Sequence, residues 1–138
     1  KGILNAQDAV RAVKVGATGI VVSNHGGRQL DHAASPMNVL PEIVDAVAGR
    51  ADIIVDGGVR RGTDIIKAIA LGAKSCMGGR PYLYGLSAGG ITGVSHAMDI
   101  FSSELERDMS LLGVNKIDEI GSRHIRYGSD TRLYPQNL

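Results

Sequence analysis

Ile20-Val21-Val22-Ser23-Asn24-His25-Gly26-Gly27-Arg28-Gln29-Leu30-Asp31 sets an apolar run directly against a histidine, two glycines and an arginine. The first part reads as a buried strand and the second as a reactive loop at its end. A histidine exchanges protons near neutral pH, and a neighbouring arginine can grip a carboxylate through two parallel hydrogen bonds. The pair points to proton abstraction from an anionic substrate.

Working outward, residues 20–23, 53–56 and 75–77 read as strands covered on both faces, because they lack apolar-polar alternation. Between them, residues 7–15, 38–47 and 63–70 carry helical spacing, with Asn5, Asn38 and Thr63 as caps near their starts. Residues 12–17 (Ala-Val-Lys-Val-Gly-Ala) resemble residues 68–73 (Ala-Ile-Ala-Leu-Gly-Ala), each placing Gly-Ala where a helix leaves through a left-handed residue. The string is βαβαβ. A (β/α)8 barrel spends about 31 residues per unit, so this chain holds about four, and the expected fold is α/β, half of a TIM barrel. A doubly wound sheet shares the alternation, but no Gly-x-Gly-x-x-Gly turn follows the first strand. Residues 93–112 form a long amphipathic segment with Val94, Ala97, Met98, Phe101, Leu105, Met109 and Leu112 on one side; Met98, Met109 and Cys76 are expected in the core. Residues 1–120 are expected to make up the barrel portion, and residues 121–138 an irregular polar tail without a core segment.

The 15 basic and 14 acidic residues leave a net charge of +1, which argues against nucleic acid and membrane surfaces as partners. Arg123, Arg126 and Arg132 with Tyr127 and Tyr134 are therefore not read as a nucleic-acid interface. The single cysteine, Cys76, excludes an internal disulfide. No apolar stretch is long enough for a bilayer span, no leader opens the sequence, and Gln136-Asn137-Leu138 is not Ser-Lys-Leu, so the expected location is cytoplasmic. His32, His96 and His124 lack metal-ligand spacing and are read as structural or exposed; no metal site is expected.

Two more loops follow strands. Asp56-Gly57-Gly58-Val59-Arg60-Arg61-Gly62 follows the second and Gly78-Gly79-Arg80-Pro81 the third. Glycines let backbone N–H groups approach an anion, and Arg60 and Arg80 can add charge-assisted bonds, as in the phosphate loops at a barrel mouth.

Taken together, residues 23–29, 56–64 and 79–81 resemble the FMN-dependent α-hydroxy acid dehydrogenase/oxidase family, which includes glycolate oxidase and mandelate dehydrogenase. The Ser-Asn-His-Gly-Gly-Arg-Gln run is the most specific part, and the likeness extends over residues 1–113. The resemblance implies the C-terminal half of a (β/α)8 barrel with FMN at its mouth, oxidising an L-2-hydroxy acid to the 2-keto acid. Electrons would pass on to oxygen or another carrier. By the same resemblance His25 is the catalytic base, also touching substrate, and Arg28 binds the substrate carboxylate. Lys1 lies beside the flavin ring, Ser23 contacts the isoalloxazine, and Asp56, Gly57, Gly58, Val59, Arg60, Gly79 and Arg80 hold the ribityl chain and phosphate. His25 serves either route, taking the α-proton if a carbanion forms or the hydroxyl proton if a hydride leaves. The chain is expected to be a fragment, inactive alone and completed by an N-terminal half or by homo-oligomerisation. A non-catalytic FMN- or phosphate-binding half-barrel is the rival reading, although it would need neither His25 nor Arg28. An inosine monophosphate dehydrogenase relative would need a loop cysteine, and Cys76 is poorly placed for one.

Overall fold

The computed structural model describes residues 1–126. Three parallel strands, β1 (Gly19–Ser23), β2 (Asp52–Asp56) and β3 (Ser75–Met77), lie side by side in that order. Helix α1 (Ala6–Lys14) precedes β1, α2 (Pro36–Val47) and α3 (Gly62–Ala70) are the crossovers, and α4 (Arg80–Leu112) follows β3. Residues 1–3 run beside the free edge of β1: Gly2 N–H donates to the Val21 carbonyl at 3.1 Å, Ser23 N–H donates to the Ile3 carbonyl at 3.3 Å, and Ile3 pairs with Val22. Parallel strands joined by helical crossovers in sequence order form one wall of a barrel.

The register aligns Ser23, Asp56 and Met77 in one row at the C-terminal edge, with Val22, Val55 and Cys76 in the row before it. Successive side chains alternate faces. Ile20, Val22, Ile53 and Val55 therefore turn to the helices, where they meet Ala9 of α1 and Leu40, Ile43 and Val47 of α2 in the main core. A second core gathers Ile66 and Ala70 of α3 with Val114 and Ile120.

Several sequence expectations are corrected. The strands are not covered on both faces: Val21 and Ile54 are only half-buried, and Ser75 and Met77 of β3 are exposed. Their inner face looks into the barrel interior, and β3 is the sheet's edge among the described residues. Asn5 does cap α1, accepting from Asp8 N–H at 2.8 Å, but α2 starts at Pro36 after Ser35, ahead of Asn38, because proline's fixed φ suits the first helical turn. Helix α3 starts after Arg61, not Thr63, and the Asp64 carboxylate accepts the N–H groups of Arg60 and Arg61 at 3.0 and 3.1 Å. Gly16 and Gly72 take the expected positive φ, 98° and 100°.

Helix α4 begins well before residue 93 and is broken at Gly89 and Gly90, where Gly90 takes φ 57° and ψ −138°. Met98 is 56% exposed rather than core. It shares a face with Leu105, but α3 has only nine residues, about 13 Å of helix, too short to cover all of α4. Met109 and Leu105 do pack on the second core, and so does Ile125, which gives residues beyond Gly121 a core contact that the sequence reading had not assigned. Tyr127, Arg132, Tyr134 and the rest of residues 127–138 lie outside the described residues. No described helix is long and apolar enough to cross a membrane.

Candidate active site

The three strands end on one side, and each hands over to a glycine-bearing loop there. After β1, His25, Gly26 and Gly27 all take positive φ (57°, 66° and 71°). For histidine this left-handed conformation is unfavourable, and such outliers cluster where surrounding contacts hold a functional loop in place. Those contacts are visible: His25 N–H donates to Ser23 Oγ at 3.1 Å, and Asn24 Nδ2 donates to the Ala34 carbonyl at 3.3 Å. The His25 and Arg28 side chains are exposed and have no hydrogen-bond or ion-pair partner among the described residues. Both are free to meet a ligand.

Ser23 is buried and donates from Oγ to Asp56 Oδ2 at 2.6 Å, across the paired row of β1 and β2. Lys1 Nζ pairs with the same carboxylate oxygen from the neighbouring edge. Burial alone would push the Asp56 carboxyl up, but the hydrogen bonds from Lys1 and Ser23 and the charges of Lys1 and His25 outweigh it and hold it below the usual carboxylate range.

In the loop after β2, Gly57 takes φ 115° and Gly58 φ 81°, conformations open to glycine. A Cβ on Gly57 would stand 2.8 Å from Asn24 Oδ1, so this loop and the His25 loop are in close contact; a Cβ on Gly58 or Gly79 would meet nothing within 4 Å. The N–H groups of Gly57, Gly58, Val59 and Gly79 donate to no other described residue. Helix α4 starts at Arg80 with no side-chain cap, leaving the Arg80 and Tyr82 N–H groups without a partner among the described residues; Pro81 has none, and Leu83 N–H donates to the Gly79 carbonyl. Open glycine amides beside an uncapped helix N-terminus fit an anion. Arg60 is exposed at the same end, whereas Val59 is a core residue and can offer only its backbone.

The remaining residues singled out in the sequence have the following surroundings. Arg80 reaches back to the loop after β1, donating from a guanidinium nitrogen to the Gly26 carbonyl at 3.0 Å. The Arg60 N–H is taken by Asp64 and does not join the open amides. Cys76 is half-buried, and its thiol is pushed up to about 11 by burial and by the charge of Asp64, which leaves it unsuited to nucleophilic work. His32 and His96 are exposed and His124 half-buried. A cavity of about 830 Å³ between α2, α3 and α4 lies on the helix side and not at the strand ends.

Three supporting residues escaped the sequence reading. Asn24 stands inside the decisive motif, yet its anchoring role needs Ala34 and Gly57 beside it. Asp64 carried a signal, an acidic residue three places after the cap position. Glu104 carried none: this buried residue of α4 accepts Gly62 N–H at 2.9 Å and pairs with Arg61 at 2.7 Å, fastening the start of α3 from 42 residues away. The hydrogen bond from Gly62 lowers its carboxyl, with Arg61 and Arg107 adding to the effect against burial. Because Glu104 already fills the N-terminus of α3, an incoming anion is left the amides after β2 and the start of α4.

The family model described as FMN-dependent dehydrogenase matches residues 1–127. The chain belongs to that family. It is 55% identical over 120 residues to an L-lactate oxidase of Nostoc sp., covering 87% of this chain and 33% of that protein. Over 126 residues it is 51% identical to a peroxisomal (S)-2-hydroxyacid oxidase of Arabidopsis thaliana, covering 91% of this chain and 35% of the relative. Among solved structures, a mandelate oxidase variant with 4-Br-2-hydroxy-methylphenylacetate superposes with a TM-score of 0.84 at 47% identity, over 86% of this chain and 36% of that one. Another was solved with a monooxide FMN adduct and superposes equally well. The chain thus spans about a third of the length of these relatives, and its fold is part of a TIM barrel. FMN is the family's cofactor, and the open amides and uncapped helix start fit its phosphate.

Proposed function

We propose that, within a complete barrel, this chain carries the base and the carboxylate clamp for oxidation of an L-2-hydroxy acid to the 2-keto acid. The observation that carries the reading is the placement of His25 on a left-handed turn and Arg28 directly after it, both exposed and without a side-chain partner among the described residues, beside the open amides of the next two strand ends. When bound, FMN supplies the two-electron acceptor. Arg28 holds the substrate carboxylate with its planar fork and so fixes the Cα–H bond. His25 takes the proton released, whether from carbon or from the hydroxyl. Lys1 adds a cation at the flavin ring, with Ser23 beside it and Asp56 toward the ribityl chain. Gly57, Gly58, Val59, Arg60, Gly79 and Arg80 hold the phosphate.

The electrons leave for oxygen or another carrier, and the location proposed is cytoplasmic; co-sedimentation with an organelle would correct that last point. The exposed edge of β3, with Met77 uncovered there and Tyr82 and Leu83 uncovered at the start of α4, supports a requirement for the remaining strands, supplied by an N-terminal half or through association of copies. The 138-residue chain alone is therefore expected neither to turn over nor to hold FMN stoichiometrically.

The test is anaerobic flavin reduction by lactate, glycolate or mandelate in a single turnover of the full-length holoenzyme. His25→Gln should slow it by about 10²- to 10⁴-fold with FMN still bound. Reduction at near wild-type speed would remove His25 as the base, and flavin that no 2-hydroxy acid reduces would favour a binding module.

A further inference from the structure

One carboxylate joins three of the groups that meet at the strand ends. Asp56 Oδ2 accepts both the Lys1 ammonium and the Ser23 hydroxyl, and the oxygen of that hydroxyl accepts the N–H of His25. Every partner lies on a separate segment: residue 1 beside the edge of β1, Ser23 at the end of β1, Asp56 at the end of β2 and His25 in the loop. A hydroxyl has one proton to donate, so committing it to Asp56 turns the lone pairs of Ser23 Oγ toward other donors. The donor met there is the first residue of the left-handed turn. With φ 57°, His25 occupies a backbone conformation that histidine does not favour, and its N–H bond to Ser23 is one of the few contacts that hold it.

We infer that Asp56 is a positioning residue for His25, acting through the Ser23 hydroxyl to hold the left-handed turn that aims the imidazole. This goes beyond a contact with the cofactor's ribityl chain, and it rests on the reading of His25 as the base. The Lys1 ammonium supplies the counter-charge that keeps the carboxylate an acceptor for the serine. A further contact on the turn, from Arg80 at the start of α4 to the Gly26 carbonyl, is exposed, so it backs up the Ser23 contact without replacing it.

The experiment is a double-mutant cycle in the full-length holoenzyme with Ser23→Ala, Asp56→Ala and both together, reading three quantities. The first is the anaerobic rate of flavin reduction at saturating 2-hydroxy acid, the second FMN affinity by fluorescence titration, and the third amide hydrogen exchange at His25. Ser23→Ala should cut the rate, measured with FMN saturating, on the order of 10²-fold, as for a displacement of about 1 Å, and exchange at His25 should accelerate. The double variant should be no slower than the slower single one, since both act along one path. Rate losses that multiply, or unchanged exchange at His25 in both single variants, would overturn the inference. An Asp56→Ala effect confined to FMN affinity would also do so, assigning Asp56 to the ribityl chain alone. The exchange measurement does not depend on turnover. If His25→Gln leaves flavin reduction intact while Ser23→Ala still accelerates exchange, the base assignment fails and the positioning contact stands.

Discussion

Gly57→Ala tests whether the loops after β1 and β2 form one rigid unit. At φ 115° an alanine is strained whatever its surroundings, at about 1–3 kcal/mol. Its methyl would also stand 2.8 Å from Asn24 Oδ1 and 3.3 Å from Pro36, so the asparagine must move. Moving it breaks the bond to the Ala34 carbonyl, worth about 0.5–1.5 kcal/mol. The sum is about 1.5–4.5 kcal/mol. Gly58→Ala is the matched control, because φ 81° carries strain but a Cβ there meets nothing within 4 Å; it should cost about 1–2 kcal/mol. Urea unfolding of the two variants, followed by far-UV circular dichroism and compared at a common slope, isolates the Asn24 contact as the difference between them. Gly57→Ala should also slow flavin reduction more than Gly58→Ala does, because Asn24 is the residue next to His25. If the two variants unfold at the same urea concentration, the contact is not tight and the two loops are independent.

Arg28→Lys should raise KM for 2-hydroxy acids and lower kcat, because a point charge cannot fix the carboxylate plane; a neutral amide analogue should be almost indifferent. Equal losses with acid and amide would make Arg28 a loop support. Arg80→Ala should weaken FMN binding by about 1.5–3 kcal/mol in a fluorescence titration and free the Gly26 carbonyl, whereas unchanged affinity would remove Arg80 from the phosphate site. Asp56 binds its proton less readily in the fold than in the unfolded chain, so its ionised form stabilises the native state. That contribution is complete above the ordinary value of 3.8 and fades as pH falls through the lowered folded value; Asp56→Asn should flatten the acid end of a stability-pH curve, and an unaltered curve would contradict the Lys1 pairing.

The strand-loop motifs were legible because they are local. An apolar run followed by His25-Gly26-Gly27-Arg28 declares the strand and offers the residue types for proton transfer and carboxylate binding, and the glycines at residues 57, 58 and 79 mark the loops that follow the next two strands. Gly16 and Gly72 likewise announced their left-handed exits. Helix starts were less legible, since Asn38 and Thr63 are good caps by type while Pro36 and Asp64 won by backbone geometry and by accepting two N–H groups at once. Burial was misread wherever it depends on a neighbour's length or absence: Met98 outruns the short α3, and Met77 lies on the sheet edge. What only the tertiary structure decided is the wiring between segments. Glu104 at the head of α3, Asn24 against Gly57, Arg80 on Gly26 and the Lys1-Asp56-Ser23-His25 chain each join residues whose separation along the chain carries no periodic signal. Composition and spacing select the residue types that can do the chemistry, whereas strand register and loop approach select which of them touch, because hydrogen bonds form over about 3 Å in space regardless of distance along the chain.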